Sequence, residues 1–151
     1  MIKEKILEVI KNSKPQTKED LAKVFNIKKR DRENFYFLLE NLQRQGLVFE
    51  DKKAKLIFVD NKTYFFGKIQ TSKKGFGFLI TENLDEDIYI SEENLNFALN
   101  GDDVIVKKYK DSSGSKPEGK VVFIVERVNQ KVVGIFQATK NFGFVVADDA
   151  K

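Results

Sequence analysis

The 151-residue sequence predicts an α+β chain of several domains, in which three helices and a β-hairpin precede a five-stranded β-sheet. Three observations support this prediction. Apolar residues recur at helical spacing through the first third of the chain. Residues 66–127 consist of short runs of strand composition separated by turn signals. A segment beginning at Gly134 repeats the segment that begins at Gly67. We therefore predict domains at residues 1–62, 63–130 and 131–151.

Two helices are predicted before residue 26. The first ends before Pro15, because proline disrupts helical hydrogen bonding. Thr17 can cap the second, short helix, with Asp20 in the place of the glutamate of a capping box. The apolar face of the first helix consists of Ile2, Ile6, Val9 and Ile10, and that of the second of Leu21, Ala22 and Phe25.

A third helix and a hairpin complete the predicted N-terminal domain. Asp31 is expected to cap this helix and Gly46 to end it, and its apolar stripe consists of Phe35, Leu38, Leu39 and Leu42. Two apolar runs around a polar turn in "LVFEDKKAKLIFV" predict a hairpin. Three helices followed by a hairpin form the winged helix-turn-helix arrangement, in which the third helix and the hairpin, or wing, contact nucleic acid.

Basic residues lie where such contacts would be made. The candidates are Lys28, Lys29 and Arg30 before the third helix, and Lys52 and Lys53 in the wing. They are equally compatible with a solvated helix entry, with a protein-binding winged helix, or with a domain that braces its neighbour. Contact with duplex nucleic acid is therefore one of several interpretations for this domain.

Composition limits the functions available. The chain has no Cys and no His, so it lacks a disulfide framework and the commonest general base and metal ligand. No apolar run approaches a membrane span, and the N-terminus does not resemble a signal peptide, so we expect a cytoplasmic location without membrane contact. Residues 1–62 hold 15 Lys and Arg against 10 Asp and Glu, and residues 63–127 hold 9 against 11. An anionic partner should therefore be drawn first to the N-terminal part.

Residues 66–127 predict five strands in an OB-fold barrel. The strand-like runs are "FGKIQT", "GFGFLIT", "DIYIS", "DDVIVKKY" and "GKVVFIVERV". A polar connection, "KDSSGSKPEG", joins the last two. Five short strands with a long fourth connection are typical of an OB-fold, whose second and third strands present a face that binds single-stranded nucleic acid.

The motif "KKGFGFLI" specifies that face. Strand alternation directs Phe76 and Phe78 to the same side, and directs Tyr89 and Ser91 outward beside them. Glycines between the rings flatten the surface, so a base can lie against them. Lys68, Lys73 and Lys74 are placed to meet phosphates. The alternative is that Phe76, Phe78 and Tyr89 pack beneath another domain.

These residues resemble the cold-shock domain. Lys74 to Phe78 match its first ribonucleoprotein motif letter for letter, and "DIYIS" lies where the second motif belongs. The resemblance implies a barrel that binds single-stranded RNA. Two features depart from the family: Ile69 occupies the usual position of a tryptophan, and residues 82–87 are acidic. Both predict weak, salt-sensitive binding by this domain alone.

The chain then starts a second copy of the motif. "GIFQATKNFGFVVADD" repeats "GKIQTSKKGFGFLITEN", which aligns Lys73 with Lys140 and Phe78 with Phe144. We predict the first strands of a second, truncated cold-shock domain, in which Lys140, Phe142 and Phe144 bind RNA.

The order of these domains resembles the RNase II (RNB) family of processive 3′→5′ exoribonucleases. The resemblance covers essentially the whole chain, and it implies that a catalytic domain with Mg²⁺ and clustered aspartates lies outside it. It also implies single-stranded RNA, or structured RNA with a 3′ overhang, as partner. The acidic groups at 85–87, 102–103 and 148–149 are interpreted as solvated turns, so no catalytic residue, metal ligand or cofactor is predicted here. Two alternatives remain: a DNA-binding regulator that uses the winged helix, and an RNA chaperone without nuclease activity.

Overall fold

The computed structural model describes residues 2–109 and 116–127. Every helix and strand predicted within these residues is present, although the bounds differ by a few residues. The elements are α1 (Ile2–Asn12), β1 (Gln16–Thr17), α2 (Lys18–Val24), α3 (Arg32–Arg44), β2 (Val48–Glu50), β3 (Lys55–Phe58), β4 (Tyr64–Thr71), β5 (Gly77–Ile80), β6 (Ile88–Ile90), β7 (Asp103–Lys108) and β8 (Gly119–Glu126). Short 3₁₀ helices occur at Lys29–Asp31 and Glu92–Leu95.

The N-terminal part packs three helices against a small antiparallel sheet with the strand order β1-β3-β2. Thr17 caps α2 as predicted, because its Oγ1 accepts a hydrogen bond from the Asp20 amide at 3.1 Å. Gly46 follows the end of α3 at φ +75°, a conformation that favours glycine. The buried side chains of this core are Ile6, Ile10, Leu21, Ala22, Phe35, Leu39, Leu42, Val48 and Leu56.

Two details of the helical prediction were wrong. Asp31 makes no capping hydrogen bond to α3, because it ends the 3₁₀ helix Lys29–Asp31 and already has helical backbone angles, with φ −103° and ψ 0°. Ile2 lies in the first turn of α1 and remains 52% exposed, whereas Ile6 and Ile10 enter the core.

The second sheet is antiparallel, with the strand order β6-β5-β4-β7-β8. It curls into an OB-like half-barrel, since its two edges approach each other: Tyr89 of β6 bridges Glu118, which directly precedes β8. The Tyr89 amide also donates to the Pro117 carbonyl at 2.9 Å. The buried interior consists of Phe65, Ile69, Leu79, Ile88, Ile90, Leu95, Ala98, Val104, Val106 and Val121.

A third apolar cluster joins the two sheets. Phe49 of β2, Val59 and Ile105 of β7 are buried together, and the ring of Phe66 packs against Gly46 so closely that a Cβ there would collide with it. The helical part therefore lies against the outer face of the OB-like sheet near β7. The helices among residues 2–109 and 116–127 include none that is long and apolar enough to cross a membrane.

Candidate nucleic-acid interface

Three aromatic side chains form one cluster on the outer face of β5 and β6. The antiparallel register places Phe78 opposite Tyr89, and Phe76 directly precedes β5. The ring centroids of Phe76 and Phe78 are 5.7 Å apart, those of Phe76 and Tyr89 are 5.4 Å apart, and those of Phe78 and Tyr89 are 5.8 Å apart. These distances lie in the range of interacting aromatic pairs. We call this cluster the aromatic trio.

Strand alternation explains why the trio faces outward. Leu79, Ile88 and Ile90 alternate with Phe78 and Tyr89, and all three are fully buried in the interior of the half-barrel. The trio is half-buried and belongs to none of the apolar clusters in the described part of the chain. Its rings therefore contact mainly one another and leave part of their surface open to solvent.

The turn between β4 and β5 places two lysines beside the trio. The Ser72 amide donates to the Phe76 carbonyl at 2.8 Å, and the Gly75 amide donates to the Ser72 carbonyl at 3.2 Å. Gly75 adopts φ +100°, which glycine accepts at little cost. Lys73 and Lys74 lie exposed in this turn. The carboxylate of Glu92 lies next to Gly75, where it reduces the positive potential of the turn.

Lys68 has a partner that the sequence did not reveal. Its Nζ lies 2.9 Å from Oδ1 of Asp103 and donates to the Gly101 carbonyl at 3.2 Å. The Lys68 side chain is 55% exposed, so this ion pair is screened and contributes little to stability. A phosphate would have to compete with Asp103 for this ammonium group.

One position on this face differs from its predicted orientation. Ser91 lies just beyond the end of β6, and its hydroxyl oxygen is buried without a hydrogen-bond partner among the described residues, instead of facing outward. Ile69, at the position of the family's tryptophan, is buried in the interior, so this position presents no side chain on the outward face for a base to stack on. The outward neighbour of Phe78 on β4 is Gln70.

The predicted winged-helix contacts lie on other elements. Lys28 precedes the 3₁₀ helix Lys29–Asp31, in which Lys29 and Arg30 are the first residues. Lys52 and Lys53 lie in the turn between β2 and β3. All five side chains are exposed. In the hairpin turn, Oδ1 of Asp51 accepts the Lys53 amide at 2.8 Å. The structure therefore exposes these residues but does not bring them into the aromatic trio.

One acidic pair is not a solvated turn. Asp102 is fully buried, and its Oδ2 accepts a hydrogen bond from the Leu99 amide at 2.8 Å and lies 3.3 Å from Nη1 of Arg127. The interpretation of Asp102 as a solvated residue was wrong, because an arginine 25 positions later neutralises it. Among residues 2–109 and 116–127, no group of three or more acidic side chains is placed to hold a metal ion.

Sequence reasoning also missed an exposed ring. Phe97 is 87% exposed and adopts φ +70°, directly after Asn96 at φ +48°. The residues around Phe97 show neither strand alternation nor helical periodicity. The nearby turn residues Asn100 and Gly101 were the one sequence signal that could have indicated an exposed position there. The predicted contacts Lys140, Phe142 and Phe144 lie outside the described residues.

A curled five-stranded sheet with an outward aromatic trio and flanking lysines defines an OB-type domain with a candidate nucleic-acid face. Residues 67–124 match the family described as the ribonuclease B OB domain. Ribonuclease R of Thermotoga maritima is 32% identical over 142 residues, which cover 91% of this chain and 19% of that protein. Ribonuclease R of Escherichia coli is 26% identical over 158 residues, which cover 99% of this chain and 19% of that protein.

Among solved structures, the apo form of Mycoplasma genitalium RNase R matches 42% of this chain and 10% of its own, at 31% identity and a TM-score of 0.38. The chain thus spans about a fifth of the Thermotoga and Escherichia relatives. The resemblance to the RNase II (RNB) family is confirmed by these sequence matches: the chain is similar to part of ribonuclease R over nearly its whole length.

Proposed function

We propose that this chain is the single-stranded RNA-binding N-terminal region of a processive 3′→5′ hydrolytic exoribonuclease of the ribonuclease R type. The observation that carries the proposal is the aromatic trio beside Lys73 and Lys74, within the segment that matches the ribonuclease B OB domain. In this account the domain grips RNA and feeds its 3′ end towards a catalytic domain outside this chain.

Each part of the site has a separate role. Bases stack on the rings of Phe76, Phe78 and Tyr89, and each stacked base is worth about 1–3 kcal/mol with little dependence on its identity. Lys73 and Lys74 contact phosphates, with Lys68 joining them when a phosphate displaces Asp103. Affinity therefore falls steeply with salt.

The N-terminal part supports a second contact. Its three helices and antiparallel strands β1-β3-β2 have the element order of a winged helix-turn-helix domain, which we propose it to be. Exposed Lys28, Lys29 and Arg30 would meet the backbone of duplexed RNA that carries a 3′ overhang. A Mg²⁺-dependent catalytic domain and a cytoplasmic location complete the proposal for the parent enzyme.

Two other functions predict different behaviour. A DNA-binding regulator would prefer duplex DNA and depend on Lys28, Lys29 and Arg30. An RNA chaperone would bind single strands as proposed here, but its natural chain would carry no nuclease. The first alternative is tested by binding, and the second by the length of the natural reading frame.

Fluorescence anisotropy with a labelled single-stranded RNA, competed by duplex DNA of equal length, tests the proposal. The Phe76→Ala/Phe78→Ala variant should lose at least about 2 kcal/mol of RNA-binding free energy, the stacking of one to two bases. Phe37→Ala removes a ring that is 58% exposed on α3 and serves as the matched control. Preference for duplex DNA, with no effect of the Phe76/Phe78 pair, would refute the proposal.

A further inference from the structure

A groove separate from the aromatic trio lies where the two sheets meet. It has a volume of about 650 Å³, and it runs between the turn of the β2–β3 hairpin and the outer face of β7 and β8. That volume is within the range of about 300–1,000 Å³ in which small ligands are held. Tyr64, Phe97 and Phe123 are aromatic residues of its lining, together with Phe49. We call it the hairpin groove.

The hairpin groove is positively charged. Lys52, Lys107 and Lys120 line it against a single acidic residue, Asp51. Within the described residues none of these lysines forms an ion pair, whereas Oδ1 of Asp51 accepts the Lys53 and Lys55 amides at 2.8 and 2.9 Å. Three lysines without an acidic partner among residues 2–109 and 116–127, in a concave site with apolar walls, favour an anionic ligand.

Phe97 adds a ring in an unusual conformation. A phenylalanine at φ +70° is rare, because the left-handed region is unfavourable for bulky residues, and this one is also 87% exposed. A single exposed aromatic ring is common on protein surfaces. A strained backbone at such a residue, however, persists only where the surrounding structure imposes that conformation.

That surrounding structure is a hydrogen-bonded loop at residues 96–102. Asn96 Nδ2 donates to the Val121 carbonyl, and Nη1 of Arg127 donates to the Phe97 carbonyl at 3.1 Å. The same Nη1 contacts the buried carboxylate of Asp102 at 3.3 Å. The loop thus holds Phe97 from both sides and presents its ring to the groove instead of the core.

We infer that the hairpin groove is a second site for single-stranded RNA, in which a base stacks on Phe97 and phosphates contact Lys52, Lys107 and Lys120. The chemical class of ligand rests on the function proposed above, but the residues are different from the aromatic trio. A strand that occupied both sites would link the N-terminal hairpin to the OB-like sheet. The site does not require the winged helix to read a duplex.

Anisotropy of the full chain with a labelled single-stranded RNA of about 16 nucleotides, the upper site size of an OB-fold, tests this site. Phe97→Gly removes the ring and suits the left-handed backbone, so its melting temperature should equal or exceed that of the wild type. Its affinity should fall about 5- to 150-fold, which corresponds to about 1–3 kcal/mol for one stacked base. Phe97→Tyr should retain affinity. Leu99→Ala, which truncates a 48% exposed side chain of the same loop, is the matched control and should bind as the wild type does.

The lysines are tested by salt dependence. Lys107→Gln/Lys120→Gln should reduce the slope of log affinity against log salt by about 0.7 for each phosphate that the variant no longer neutralises. With 5-iodouridine in the RNA, irradiation should also crosslink a peptide that contains Phe97, and mass spectrometry should find it.

Comparison with the Phe76→Ala/Phe78→Ala variant separates the two proposals. If that variant loses affinity while Phe97→Gly and the lysine pair do not, the second site is refuted and the proposed function stands. If none of the variants loses affinity, both are refuted. Equal losses for Phe97→Gly and Leu99→Ala, or a lowered melting temperature of Phe97→Gly, would assign Phe97 a structural role and refute the second site.

Discussion

Phe78 and Tyr89 lie directly opposite each other on adjacent antiparallel strands, with ring centroids 5.8 Å apart and an interplanar angle of 71°. This edge-to-face contact favours the relative orientation of the two rings. Since the residues on either side of them point into the core, neither ring can turn inward without breaking the register of β5 and β6. The fold therefore holds both rings on the outward face, where we propose that RNA binds.

The first prediction concerns coupling between these rings. Phe78→Ala and Tyr89→Ala should each weaken RNA binding by about 1–3 kcal/mol. The double variant should cost less than the sum, because residues in contact are not independent. Tyr89→Phe keeps the ring and should bind within about threefold of the wild type, a difference of less than about 0.7 kcal/mol. Titration calorimetry checks all four; strict additivity would show that the rings act separately.

The second prediction concerns the turn before Phe76. Gly75→Ala should lower the free energy of unfolding by about 1–3 kcal/mol, because the residue has φ +100°, a backbone conformation that a residue with a Cβ adopts only under strain. Urea unfolding measures the change. Lys74→Ala, one residue earlier and exposed, should remain within about 0.5 kcal/mol of the wild type. Equal stability of Gly75→Ala and Lys74→Ala would show that the turn relaxes freely.

The third prediction concerns the buried carboxylate of Asp102. Arg127→Ala should destabilise the chain by about 2–3 kcal/mol. Removing one partner of a fully buried ion pair costs roughly 3–5 kcal/mol, and the loss here should be smaller because the arginine is partly exposed. Arg44→Ala removes the arginine of the exposed Arg44–Glu40 pair and should change stability by less than about 1 kcal/mol. Thermal unfolding of both variants checks this. Equal losses of stability in Arg127→Ala and Arg44→Ala would show that solvent stabilises the Asp102 charge when the arginine is absent.

The fourth prediction is a pH dependence at the connection between the two sheets. Partial burial opposes ionisation of Asp60, but the amides of Tyr64, Lys62 and Thr63 donate to its carboxylate and hold its pKa below the ordinary value. A lowered pKa in the folded state contributes stability that is present above about pH 3.9 and is lost as the pH falls through the folded pKa.

Asp60→Asn should therefore lower the free energy of unfolding at about pH 7 by about 1 kcal/mol. This is the difference between the net stabilisation from a hydrogen bond to a charged acceptor and that from a hydrogen bond to a neutral one. Because the wild type loses the charge in acid, the two proteins should converge in stability below about pH 3. Urea unfolding at both pH values measures the difference. A gap that stays constant with pH would attribute the effect to geometry and not to charge.

Local patterns were sufficient to predict much of the fold. The periodicity around Phe35 and Leu39, and the alternation around Phe78 and Tyr89, predict helix and strand because both depend on neighbours a few residues apart. For the same reason the outward direction of the aromatic trio was predictable.

Features that depend on distant residues were not predictable. Lys68 pairs with Asp103, 35 positions away, and Asp102 with Arg127, 25 positions away, so the sequence alone did not connect them. The buried contact of Phe49 with Ile105 and the hairpin groove arise only when the two sheets meet. Phe97 lacks any periodic context, and its exposure follows from a loop conformation that long-range hydrogen bonds impose.

The central claim, that bases stack on the aromatic trio, is tested most directly by NMR of the ring protons during titration with single-stranded RNA. Stacked bases should shift the ring resonances of Phe76, Phe78 and Tyr89 upfield, while the ring of Phe37 on α3 stays unchanged. Shifts confined to α3 and to Lys28, Lys29 and Arg30, with the trio unchanged, would contradict the account and assign binding to the N-terminal domain.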